Sequence, residues 1–441
     1  MEVTVEETSA LERTITVRTE ADQVNALLDQ ELSRLAATIK LPGFRPGKTP
    51  RKVIESRFKD HLAQTVMERL LQEGLGKTIK EHALRMAGDP ELESVKPATR
   101  GEPFLFTAKV QIIPEVQPEG YQGMPLTRRV AEVTDADMEH ALNQIRERHA
   151  RYEAQEGVQA ASGDQIVLNF KGFVDGEAFE GGSAEGYVLE LGSGRFIPGF
   201  EEQLIGMTVG EERAINVTFP EGYGAPNLAG KPAVFNCSLT EVRARILPEV
   251  DDALAVAERI KEGGVEALKT RVRDDLTRRA ASAAEKQLQR QIHDGLVAGN
   301  PFELPSKMVD REVKAMLEQF KEDTLARGMN PDQFGLSDEI LANEFKDPAQ
   351  RRVRLGLVLG AVAKKEGMEV DDGRVHARID KLAAAYGNQA NEFRQWARSE
   401  ESRMDGIRGA VLEEMVNEWI LNHGVITEEN VALDALLAEN A

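Results

Sequence analysis

Residues Gly163–Gly182 read GDQIVLNFKGFVDGEAFEGG, and this stretch decides which fold the middle of the chain can adopt. Gln165–Phe173 mixes β-branched and aromatic residues without helical spacing, which predicts a strand. Asp175-Gly176 is a tight-turn dipeptide, and Phe179 follows it on the returning run. Farther out, Tyr187–Leu191, Arg213–Phe219 and Ala233–Val242 carry the same β-type pattern, interrupted by a short helical run at Gly199–Leu204. The expectation is a small antiparallel sheet with a helix across one face, spanning residues 160–243. Cys237 lies in the alternating run VFNCSL and reads as a small core residue.

The segment before it, residues 1–118, reads as α+β. Glu2–Thr8 and Leu11–Thr19 alternate and predict a hairpin. Val24, Leu27, Leu28, Leu35 and Ile39 recur at helical spacing, and a second helix from about Arg51 to Met86 carries Leu62, Val66, Leu70 and Ile79. Pro103–Ile113 predicts a strand with Glu91–Val95 as its partner. Between the two helices Leu41–Pro50 reads LPGFRPGKTP. Gly43 and Gly47 permit unusual backbone angles, while Pro42, Pro46 and Pro50 fix φ nearby, so the loop is shaped and semi-rigid. Lys40–Lys59 holds seven basic residues against one acid, in a chain of net charge −20. A stiff basic loop on an acidic protein suits docking on a polyanion. A phosphate-binding loop needs G-x-x-x-x-G-K-[ST] after a strand. Here the spacing is one residue short and a helix precedes it. A plain solvated turn is the competing reading.

Pro114, Pro118, Gly120, Gly123 and Pro125 mark a linker leading into residues 119–159, which carry a helix from about Asp135 to Arg151. From Pro248 onward the pattern is nearly all helical, with candidate helices over 251–299, 305–327, 346–366, 371–386, 390–399 and 402–422. Residues 244–441 therefore read as an extended helical body with grooves. Met308, Met316, Leu317 and Phe320 recur there at helical spacing, as helix-packing contacts or as the lining of an open cradle. The fold class is α+β multidomain.

Bulk properties exclude several functions. At 441 residues the chain exceeds one ordinary core. No run approaches a membrane span, and MEVTVEETSALER lacks an apolar signal region. A single cysteine rules out an internal disulfide and a cysteine zinc site, and the seven histidines form no H-E-x-x-H pair. No G-x-S-x-G elbow occurs. These features point to a cytoplasmic protein without membrane contact, metal or cofactor.

Two resemblances sharpen this. G-F-R-x-G-x-x-P, here Gly43, Phe44, Arg45, Gly47 and Pro50 with Lys48 between, is similar to the ribosome-docking loop of the bacterial trigger factor family. The middle segment resembles the FK506-binding family of peptidyl-prolyl isomerases. Its fixed points are Gly163-Asp164, Phe179, Leu191-Gly192, Phe196-Ile197-Pro198-Gly199-Phe200, Gly206-Met207, Val209-Gly210-Glu211 and Phe235. That resemblance implies a pocket of Phe170, Phe179, Tyr187, Phe196, Ile197, Phe200, Tyr223 and Phe235. Glu180 stands where the family usually has Asp, and Phe200 where many members have Trp. The competing reading is that these aromatics only fill a β core.

The order of parts resembles the trigger factor family along the whole chain, and Pro301–Val313 (PFELPSKMVDREV) adds to it. The resemblance implies an ATP-independent chaperone at the ribosomal tunnel exit. It would contact ribosomal protein and RNA there, hold nascent and unfolded polypeptides, isomerise prolyl bonds, and form a homodimer off the ribosome. Two other readings stay open: a free-standing prolyl isomerase whose helices dimerise it, and a helical adaptor with an inactive isomerase domain.

Overall fold

The computed structural model describes residues 1–39, 50–225, 227–330 and 337–439. Residues 1–128 and 287–427 form one compact unit, and residues 129–286 and 428–441 form a second. The loop residues Gly43, Phe44, Arg45, Gly47 and Lys48 lie outside the described residues, whereas Pro50 is the N-cap of a helix.

In the first unit β1 (Glu2–Glu7) and β2 (Glu12–Thr19) form the expected hairpin. β2 also pairs with β4 (Phe104–Gln111), which pairs with β3 (Glu91–Val95), giving a four-stranded antiparallel sheet in the order β1-β2-β4-β3. Alternation sets its inner face: Phe104, Phe106, Ala108 and Val110 of β4 are all buried. Helix α1 (Ala21–Thr38) covers that face with Val24, Leu28 and Leu32. The long helix expected over 51–86 is instead two, α2 (Arg51–Arg57) and α3 (Lys59–Glu81). The break falls at Phe58, whose backbone leaves helical geometry (φ −120°, ψ 24°) while its ring packs on the same core. α3 ends five residues before the expected Met86.

The helical part of this unit contains α8 (Ser306–Ala326), α9 (Asp338–Glu344), α10 (Lys346–Lys365), α11 (Asp372–Ala384), α12 (Ala390–Arg398) and α13 (Glu401–His423). Its largest cluster joins Tyr121, Met124 and Leu126 to Leu288, Ile292, Val358, Leu359, Val416 and Ile420. Met308 and Met316 pack against Val309, Ala349 and Val353, and Phe320 meets the Phe345 ring at 5.9 Å, so these residues make helix-packing contacts. Leu317 is half-buried.

The second unit contains a five-stranded antiparallel sheet. Its strands are β6 (Arg151–Ala154), β7 (Gln165–Val174), β8 (Glu177–Glu190), β9 (Glu212–Thr218) and β10 (Pro232–Ile246). The short helix α5 (Phe200–Leu204) packs Phe200 and Leu204 onto one face. The sheet extends past the expected 160–243 limits, because β6 pairs with Arg243–Ile246 of β10. The Asp175-Gly176 turn takes two positive φ values, 54° and 85°, as a tight hairpin requires.

A separate helical core in this unit brings Met138 and Ile145 of α4 (Asp135–Arg148) to Leu254 of α6 (Asp252–Ala257) and Leu268, Val272 and Leu276 of α7 (Gly264–Gly299). The helix expected over 251–299 is thus broken. Arg259 has φ 62° and Gly263 has φ 87°, angles foreign to a right-handed helix, and α7 starts at Gly264, whose φ is 54°. Two late elements were unread in the sequence: β11 (Val425–Asn430), which pairs with β5 (Pro125–Val130), and α14 (Leu433–Ala438).

Phe106 is fully buried and lies against Gly74 of α3, where an added Cβ would sit 3.0 Å from the ring. Phe106→Ala should cost about 3–5 kcal/mol in that core. Amide hydrogen exchange over residues 1–110 in mild urea measures it, and unchanged protection there contradicts the packing described.

Candidate active site

The inner face of the second unit's sheet is unusually rich in rings. Because side chains alternate along a strand, Phe235, Cys237 and Leu239 of β10 share one face. The register places Cys237 opposite Phe170 of β7 and Phe235 opposite Gly172. An added Cβ at Gly172 would lie 2.6 Å from the Phe235 ring and 2.8 Å from the Phe179 ring, so only glycine leaves room for both. Gly182 does the same for Phe179, at 2.6 Å.

Eight rings form one connected network. Phe170 meets Tyr187, Phe196, Phe200 and Phe235 at 5.6–6.2 Å, mostly edge to face. Phe196 stacks on Phe200 at 4.5 Å, and Phe200 meets Phe235 edge-on at 5.3 Å. Phe179 touches Phe235 and Phe219, and Phe219 lies 4.7 Å from Tyr223. Phe200, Phe219 and Phe235 are buried, whereas Tyr187 and Tyr223 are 38% and 41% exposed. The rings therefore form a graded surface, dry at its base and open at two tyrosines.

Of the residues singled out in the sequence, Phe170, Phe179, Tyr187, Phe196, Phe200, Tyr223 and Phe235 come together here. Ile197 packs against the same cluster. Its backbone N–H has no hydrogen-bond partner among the described residues. Glu180 is not brought in. It is exposed, in the irregular stretch of β8 between Ala178 and Ser183, and its carboxylate accepts no hydrogen bond among the described residues.

Two residues went unread. Phe219 ends β9's apolar alternation and joins Tyr223 to the rest, a signal visible only once Tyr223's neighbours are known. Glu201, in the first turn of α5, is 5% exposed. Its carboxylate accepts the backbone N–H groups of Gly192 at 2.7 Å, Gly194 at 3.2 Å and Phe196 at 3.2 Å, and the Ser193 hydroxyl at 3.3 Å. Burial pushes its pKa up, but the amides of Gly194, Phe196, Gly192 and Arg195 outweigh that and hold it below the ordinary carboxylate value. A charged group at the edge of an apolar site thus fixes the loop that carries Phe196.

Among the described residues the one thiol near the site is not activated. Burial pushes the Cys237 thiol up to about 12, so it is an inert core group. What the arrangement offers is an apolar, partly dry concavity.

Comparison with known proteins agrees with this geometry. A family model for the FKBP-type peptidyl-prolyl cis-trans isomerase matches residues 156–240. Models for the bacterial trigger factor protein and its C-terminus match residues 1–145 and 264–422. A trigger factor of Magnetococcus marinus (strain ATCC BAA-1437 / JCM 17883 / MC-1) is 43% identical over 441 residues, covering 100% of both chains. The chain belongs to the trigger factor family.

A trigger factor of Shewanella sp. (strain MR-4) is 39% identical over 437 residues, covering 99% of this chain and 98% of its own. A solved structure described as "Promiscuous Substrate Recognition in Folding and Assembly Activities of the Trigger Factor Chaperone" shares the fold, with TM-score 0.50 and 18% identity over 96% of this chain and 99% of that one. Like its family, the chain is a chaperone with an FKBP-type peptidyl-prolyl isomerase domain. Among the described residues no helix is long and apolar enough to cross a membrane.

Glu201→Ala leaves three loop amides without their acceptor and should cost about 2–3 kcal/mol in this domain. It should also lower isomerase kcat/KM by releasing Phe196. Urea unfolding and a proline-peptide assay measure the two effects, and a variant with wild-type values in both contradicts the role. The depressed pKa fixes the sign with pH. Stabilisation by Glu201 is complete above its unfolded pKa, roughly 4.3, and is lost as pH falls through the lower folded value. Between pH 5 and 8 the difference in stability between wild type and Glu201→Ala should stay flat.

Proposed function

We propose that the aromatic cluster is the isomerase pocket, formed by Phe170, Phe179, Tyr187, Phe196, Ile197, Phe200, Tyr223 and Phe235. The observation that carries this is the single ring network with a buried base and two exposed tyrosines. A prolyl amide must lose its conjugation to rotate, over a barrier of roughly 18–20 kcal/mol. The twisted amide is less dipolar than the planar one, so a site that strips water favours it. Phe200 and Phe235 form the apolar floor for the proline ring. The Ile197 N–H is available to donate to a carbonyl of the substrate backbone. No bond to the protein forms at any step.

The same reading gives the remaining parts their roles. Residues 1–118 dock at the ribosomal tunnel exit through Gly43, Phe44, Arg45, Gly47, Lys48 and Pro50. Residues 119–159 join that part to the helical body, residues 160–243 isomerise, and residues 244–441 hold nascent or unfolded chains without ATP. Family membership and the basic stretch Lys40–Lys59 support docking. The promiscuous recognition ascribed to the solved relative supports loose, varied holding.

Phe200→Ala should remove most isomerase activity on a short proline peptide. Tyr223→Ala, at an exposed position, should lower activity with little change in stability. Full activity in both folded variants refutes the pocket. Changing Phe44, Arg45 and Lys48 together to Ala should abolish co-sedimentation with ribosomes while leaving isomerase activity intact. Unchanged pelleting refutes the docking role.

A further inference from the structure

The first unit has a second concave site that neither isomerisation nor the loop motif uses. A cavity of about 420 Å³ opens between α1, α2, the start of α3 and residues Ala98–Arg100. Its floor is apolar, made by Leu28, Leu32, Leu62 and Ala98. Its rim carries Lys52 and Lys59, both exposed and without an ion-pair or hydrogen-bond partner among the described residues. The other rim charges are satisfied internally. Arg100 donates to Glu55 at 2.9 Å and to Asp29 at 2.8 Å, a bridge that ties residues 98–100 across the helices beside the cavity.

We infer that this cavity binds an acidic peptide segment that inserts one large apolar side chain. The volume suits one or two side chains and lies at the small end of ligand pockets. The floor offers nothing for a polar group to bond, so the inserted group is apolar. The two unpaired lysines face outward above it, in a stretch that runs against the −20 of the chain, and so select negative charge beside the anchor. An anchor in an apolar pocket ringed by complementary charge is the usual form of a binding hot spot. This inference does not rest on ribosome docking, because Lys52, Lys59 and the floor leucines lie outside the six residues to which docking is assigned.

The test uses the full chain with methyl-labelled leucines, observed by NMR. The probe is a twelve-residue peptide of Glu and Ser with one central Phe. Controls replace every Glu by Gln, or Phe by Ala, and a single-stranded oligouridylate is the RNA arm. The first peptide should shift the methyls of Leu28, Leu32 and Leu62, and either control should bind at least tenfold more weakly. Lys52→Glu with Lys59→Glu should abolish the shifts, and Ser56→Phe at the rim should block the cavity without altering its charge. The triple change at Phe44, Arg45 and Lys48 should leave them unchanged, which separates this site from loop docking. Equal affinity for the Gln peptide, shifts confined to other leucines, or stronger shifts with oligouridylate would overturn the inference.

Discussion

The second unit hangs on one strand. β10 is 15 residues long and hydrogen-bonds to β7 along one edge and to β9 and then β6 along the other. A strand with three partners cannot slip register, since a one-residue shift would turn every core side chain to solvent. That constraint fixes Phe235 and, through pairing with β7, places Phe170 and Gly172 beneath it. The aromatic face follows from this register rather than from any single contact. The bulge between Leu239 and Glu241 lets the strand change partners without losing its inward alternation.

Around that face, polar and apolar forces do different jobs. The rings exclude water from one another and need no direction beyond edge-to-face preference. The loop that delivers Phe196 has no such support, because its segment from Gly192 to Arg195 is exposed. It is held instead by Glu201, a buried carboxylate whose acceptor capacity is spent on backbone amides. Removing charge there would leave donors unsatisfied in a low-dielectric setting. The first unit uses the same device in a more exposed form, where Arg100 bridges Asp29 and Glu55 over the mouth of an apolar cavity.

Much of the fold was legible. The hairpin at the N-terminus, α1, β4, β7, β9 and most C-terminal helices follow from period alone. The misreadings share a cause. Apolar spacing across Arg51–Met86 is nearly continuous, so the bend at Phe58 is invisible until the ring has a core to enter. Gly263-Gly264 was a readable stop, but helical spacing on both sides masked it. β6 (RYEA) and β11 (VITEEN) are too short and polar to announce themselves, and exist because β10 and β5 offer them an edge.

By itself the sequence determined the order of parts, the sheet in the middle, and seven of the eight rings that gather there. The order of parts and the sheet are carried by period and turn chemistry, whereas the seven rings followed from the resemblance to the FK506-binding family. Tertiary structure alone decided that Phe219 completes the network, that Glu180 is exposed beside it, and that Glu201 is the carboxylate tied to the loop of Phe196. Each of these depends on which strand face a side chain takes and on what a distant segment presents to it. Such information is created when strands register, and no window of neighbouring residues contains it.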